Sequence, residues 1–173
     1  MKTRDLIGII TRYVLAIFFV FILPVFYFIF RPLTSWLFVL LLSIFHQGVF
    51  VMGNVISFNS SSIVLIDACI AGSAYLLLLL LNLLTPKISI KKRVLLFIFS
   101  SVIFLIINVF RLLITSFFIG SEAFNSVHMT FWFLSVVFVV GIWFLSVIVF
   151  RIKEVPVYSD IIKILRELRN RKN

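Results

Sequence analysis

Apolar residues run along this chain in five long stretches: Leu6 to Phe30, Leu33 to Phe50, Ile70 to Leu84, Val94 to Ile119 and Met129 to Phe150. Charged residues sit almost wholly in the joints between them. Because about 20 consecutive apolar residues cross about 30 Å of hydrocarbon, this pattern predicts membrane helices. Arg31-Pro32 divides the first two stretches and Pro86 closes the third, since proline offers no N–H to a continuing ladder. Pro24 is a candidate kink in the first. Residues Gly53 to Asp67 differ in kind. There Val55, Ile56 and Phe58 alternate loosely with Asn and Ser before a β-branched run, Ile63 to Ile66. That predicts a small hairpin or extended segment at the membrane surface, turning at Asn59-Ser60-Ser61-Ser62.

Composition turns this pattern into a class. The chain has 173 residues, 63% of them apolar and 13% charged, and a mean hydropathy of +1.26, against about 45–50% apolar and 25% charged in soluble domains. The expected fold is an all-α polytopic membrane protein, a bundle of about five transmembrane helices with a short extracytoplasmic hairpin before the third. Residues 1–152 form the bundle and 153–173 a basic tail. A large soluble catalytic domain is excluded. The first stretch is too long for a signal-peptide core and no small-residue cleavage site follows it, so it is expected to be retained. The single cysteine excludes an intramolecular disulfide framework.

The net charge of +10 would suit nucleic acid, but its placement flanking apolar stretches points to topology and anionic lipid instead. If all five stretches cross, one side receives Arg31, the Lys87 to Arg93 group, and the tail residues Arg151, Lys153, Lys163, Arg166, Arg169, Arg171 and Lys172. The other side receives Lys2, Arg4 and Arg12. The first side is then cytoplasmic, and the connections Gly53 to Asp67 and Gly120 to Val127, which contain no Lys or Arg, face out. An odd number of crossings puts the basic N-terminus outside. Either the first stretch crosses against its charge, or it is kinked, interfacial or re-entrant with Met1 inside. In the tail, Ile161, Ile162, Leu165 and Leu168 interleave with basic residues at helical spacing, either as an amphipathic helix on the cytoplasmic leaflet or as a solvated basic tail.

Against this background a few polar residues stand out. Arg111 lies inside the fourth stretch, where an arginine costs about 2.5 kcal/mol or more and marks a functional site by default. Asn108 precedes it by three residues, on the same helical face. Cys69 stands at the outer end of the third stretch and His128 at the outer start of the fifth, so the topology brings all three helices' polar residues to one face. A thiol with a neighbouring imidazole as base and acid, and a guanidinium to hold the charge of a tetrahedral intermediate, suffices for acyl transfer. Asp67, two residues before Cys69, is either an orienting carboxylate or an ordinary loop acid. His46 has no evident partner and reads as interfacial. No metal-ligand spacing, phosphate loop or paired carboxylates occur, so no cofactor is expected.

Ala68-Cys69-Ile70-Ala71-Gly72 entering a Leu-rich helix, Asn108-Val109-Phe110-Arg111, and His128 heading the last aromatic helix resemble the archaeosortase/exosortase family of integral-membrane cysteine transpeptidases. The resemblance covers about Arg31 through Phe150. Many members have a polar residue and then glycine directly after the cysteine, whereas here Ile70-Ala71 precede Gly72. The resemblance implies Cys69 as nucleophile, Arg111 as essential arginine and His128 as the third catalytic position, with Asn108 and Asp67 in support. It implies a multi-pass plasma-membrane protein with its site on the extracytoplasmic side. Its substrates would be exported proteins ending in a short motif, a transmembrane helix and a basic cluster. These would be cleaved near the motif and passed to a lipid or other anchor, with no nucleic acid involved. The rival expectations are a small membrane insertase or chaperone using an intramembrane arginine, and a structural subunit with Arg111 at a helix contact.

Overall fold

Pro24, and not Arg31-Pro32, marks the first break between helices. The computed structural model describes residues 3–59 and 61–172, so Lys2, the turn residue Ser60, and the side chains of Arg4, Arg166, Leu168, Arg171 and Lys172 lie outside the described residues. Helix α1 (Thr3–Val20) ends in a two-residue turn, and α2 (Leu23–Phe45) starts with Pro24 in its first turn, where the missing N–H has no partner to lose. The expected joint at Arg31-Pro32 is instead the interior of α2. Proline there forfeits one ladder bond, and an apolar surround gives the remaining backbone groups no water to turn to, so the helix continues.

Beyond Phe45 the chain leaves the helix earlier than the apolar pattern suggests and forms a three-stranded antiparallel sheet, β1 (Phe50–Met52), β2 (Val55–Phe58) and β3 (Ser61–Val64), in that order. The first turn is Gly53-Asn54, with Gly53 supplying the positive φ of 61° that the tight reversal requires. Alternation places Ile56 and Phe58 in the core, where Leu65 joins them. The expected hairpin is thus a three-stranded meander whose middle strand supplies residues to the core.

The third apolar stretch is preceded by a turn of its own. A single turn, α3 (Asp67–Ile70), ends at Ala71 in the left-handed conformation (φ 55°, ψ 44°), and α4 (Gly72–Leu84) departs from it. Then come α5 (Ile90–Ser116) and α6 (Phe124–Val149), with α7 (Tyr158–Lys172) beyond the bundle. Among the described residues three helices, α2, α5 and α6, are long and apolar enough to cross a membrane, while α4 and the apolar part of α1 are shorter.

Aromatic contacts set the register. Phe26 meets Phe97, and Phe45 meets Phe117, so α2 and α5 run parallel. Tyr75 of α4 stacks on Phe30 at 3.5 Å between ring centroids and meets Phe104 edge-on, locking α4 between them. At the far end Arg93 bonds the last carbonyls of α4, Leu83 at 3.2 Å and Thr85 at 2.6 Å, satisfying groups that a helix C-terminus leaves open. Arg12 of α1 holds Asp160 of α7 through two bonds of 2.6 and 2.8 Å. The N-terminal helix and the tail therefore meet at one end of the bundle, which corrects the five-crossing placement of Arg12 opposite the tail.

Candidate active site

The turn carrying Cys69 is held residue by residue. Asp67 is bonded by Arg31 of α2, the Ala68 carbonyl accepts from Arg111 Nη2 at 3.3 Å, and the Cys69 carbonyl accepts from Asn108 Nδ2 at 2.9 Å. The turn has no side-chain N-cap of its own. The two bonds to carbonyls take the place of intrahelical bonds that one turn is too short to make, and the Arg31 contact holds the turn by its first side chain.

Asn108 and Arg111 reach the turn together because a spacing of three puts both on the face of α5 that packs against α3 and α4. Both are buried, at 2% and 6% exposure. Arg111 makes one more contact, from Nη1 to Ser135 Oγ of α6 at 3.4 Å. These are long bonds for a guanidinium with five N–H donors, so most of its donating capacity is uncommitted.

Cys69, Arg111 and His128 line one cavity of about 270 Å³. Its walls come from β3 (Ser62, Ile63, Val64), the upper part of α5 (Leu112, Thr115) and the start of α6 (Phe124). The Cys69 thiol is free and buried. His128 is half-buried, its ring stacked on Phe124 one turn earlier. Arg111 also borders a second space, a groove of about 480 Å³ between α4 and α6 that carries Asp67, Ala68, Ser135 and the exposed Trp132 and Phe133. The guanidinium thus stands between a chamber containing the thiol and imidazole and a groove open to the bundle's surroundings.

Two expectations are corrected. Asp67 does not turn to a base: its carboxylate faces Arg31. His46 does have a partner, since its Nδ1 lies 2.7 Å from Asn59 Nδ2 and its ring packs on Phe58 and Phe117. It closes the junction between α2, the sheet and α5, away from the cavity. The sequence pattern also passed over Arg31, Ser135 and Tyr27, the last of which lines the groove beside Asp67 and Ala68. Arg31 was hidden by its proline neighbour, although Pro24 eight residues earlier is the stronger helix-start signal. Among the described residues, no group of three or more His, Cys, Asp or Glu is placed to hold a metal ion.

No protein-family profile matches the chain, and neither a curated protein nor a solved structure matches it.

Proposed function

We propose that this protein is a membrane-embedded cysteine protease or transpeptidase that cleaves C-terminal sorting signals of exported proteins at the exterior face. The observation that carries the reading is the shared cavity: the chain's only cysteine, a buried arginine and a histidine come from three separate helices to line one small space. The resemblance of the same residues to the archaeosortase/exosortase pattern supports it.

In this reading α2, α4, α5 and α6 cross the bilayer. Helix α4, about 20 Å long at 1.5 Å per residue, falls short of the hydrocarbon thickness. The α3 turn and the sheet make up the missing depth, as irregular backbone can only where protein or a cavity surrounds it. Four crossings leave both chain ends on one side, in keeping with the Arg12–Asp160 contact. That side carries Lys87, Lys91, Lys92, Arg93, Arg151 and Lys153 and is cytoplasmic by the positive-inside rule. The sheet and the Gly120 to Val127 connection, free of Lys and Arg, face out.

His128 takes the thiol proton as Cys69 sulfur adds to the scissile carbonyl, and Arg111 receives the oxyanion with its uncommitted donors. The C–N bond then breaks, His128 returns the proton to the leaving amine, and a thioester remains on Cys69. Water or the nucleophile of a lipid or surface anchor attacks the thioester and releases the thiol. The apolar chamber strengthens each electrostatic contact.

A reporter ending in a short motif, an apolar helix and a basic cluster, co-expressed with the protein, tests this. Wild type should shorten the reporter and Cys69→Ala should not; Arg111→Lys, which loses the planar fork, should process at least about 100-fold more slowly. Equal processing by Cys69→Ala would overturn the cysteine mechanism. A second reading, a small insertase, is favoured by the groove that brings Arg111 to the bundle's open side between α4 and α6. It expects Cys69→Ala to be silent and Arg111→Ala to impair membrane insertion of client helices.

A further inference from the structure

Arg31 is the ninth residue of an apolar, membrane-length helix, α2, and its guanidinium bonds the Asp67 carboxylate on the neighbouring turn. A charge at that depth is expensive, and a pair of opposite charges offsets only part of the cost. An apolar pair would fill the same contact more cheaply, so the ionic pair calls for a reason.

The reason lies in which residue is gripped. Asp67 opens the single turn that carries Cys69; the next two residues are bonded at their carbonyls from α5, by Arg111 and Asn108. Both of those contacts come from one side. Arg31 is a polar tie from a different helix, α2, and it acts on the side chain at the start of the turn. The turn ends at Ala71 in a left-handed conformation, so neither end is fixed by continuous helix. The pair is also partly open, with 36% of the Arg31 side chain and 58% of that of Asp67 exposed. The clasp lies on the open side of the bundle and is not sealed within its core.

We propose that Arg31 is a positioning residue: through Asp67 it fixes the orientation of the Cys69 turn, and so the direction in which the thiol enters its cavity. The proposal rests on the reading of Cys69 as the reacting group for its consequence in catalysis, but its structural content is independent of that reading. Arg31 touches no reacting atom.

Because Cys69 is the only cysteine, its alkylation rate by a small neutral reagent such as iodoacetamide, measured in membranes, reads the turn directly. Replacing the pair by apolar residues (Arg31→Met with Asp67→Leu) leaves no unpaired charge. If the pair orients the turn, this double variant should alkylate about two- to fivefold faster, the scale set by loss of a partly exposed ion pair. Reporter turnover should fall with KM unchanged. The exchanged pair (Arg31→Asp with Asp67→Arg) restores the contact in reverse and should return both rates toward wild type. An apolar double variant that matches wild type in alkylation overturns the proposal. So does an exchanged pair as altered as the apolar one, and that comparison decides alone if the apolar variant does not accumulate. Altered alkylation with a reporter that wild type itself never cleaves leaves the positioning role standing and removes the proposed activity instead.

Discussion

Asn108 donates its amide to the backbone carbonyl of Cys69 across 2.9 Å, joining residues 39 apart in sequence inside the buried core. The bond is shorter than the one from Arg111 to the same turn, and it acts on backbone, so it constrains the turn whatever the side chain of residue 69 is. Removing it strands a buried carbonyl, which costs about 1–3 kcal/mol. Asn108→Ala should therefore lower thermal stability in detergent by that amount, and Cys69→Ala, which keeps the carbonyl, should not. Equal stability of Asn108→Ala and wild type would mean the carbonyl finds another donor.

A second relationship concerns the close approach of α2 and α4. A methyl added at Gly72 would lie 2.6 Å from Tyr27 Cε1, closer than carbon atoms tolerate. Gly72→Ala should cost about 1–3 kcal/mol by overpacking. Cutting back the ring in Gly72→Ala/Tyr27→Ala should remove the clash, so the double variant should lose less than the sum of the two single losses. Strict additivity in a thermal-melt cycle would show that the ring swings aside without cost.

These contacts explain which parts of the site were legible in the sequence. Arg111 and Asn108 stand alone in a long apolar helix, and Cys69 is unique, so composition and spacing isolate them. The break at Ala71 was not legible, because alanine has no preference for the left-handed region and tertiary contacts impose it on the residue. Arg31 was misplaced because Arg-Pro is ordinarily a boundary, a rule that the apolar surround of α2 overrides. The sheet appeared as a hairpin because β1 begins at Phe50, where the strand adjoins an apolar helical stretch and the two periods merge. The Arg12–Asp160 contact spans 148 residues, and no local pattern encodes a pairing of that reach.

That contact carries its own prediction. Asp160 is 4% exposed, and Arg12 Nη2 meets both carboxylate oxygens. Removing only the cation leaves a nearly buried carboxylate without it, so Arg12→Met should destabilise by about 3 kcal/mol, while Arg12→Met/Asp160→Leu should recover most of the loss. Tryptic release of the α7 tail from membranes is a direct readout: fast for Arg12→Met, slow for wild type and for the double variant. Equal release from all three would show that the tail is held by other means.

At the same end of the bundle, Lys87 in the α4–α5 connection bonds Glu154 after α6 at 2.5 Å. The Lys87 ammonium first, and the Ser159 hydroxyl second, hold the Glu154 carboxyl below its ordinary 4.5. A carboxyl depressed in the fold adds stability that is present above pH 4.5 and is lost as the pH falls through its lower folded value. Lys87 is 74% exposed, so solvent screening keeps the contribution under about 0.5 kcal/mol. Lys87→Gln should accordingly melt slightly below wild type at pH 7, and the gap should close as the pH falls below 4.5. Added salt should also narrow the gap at pH 7, because the pair is exposed. A gap that widened in acid would reverse the sign of this linkage and show that Lys87 supports the fold through contacts other than Glu154.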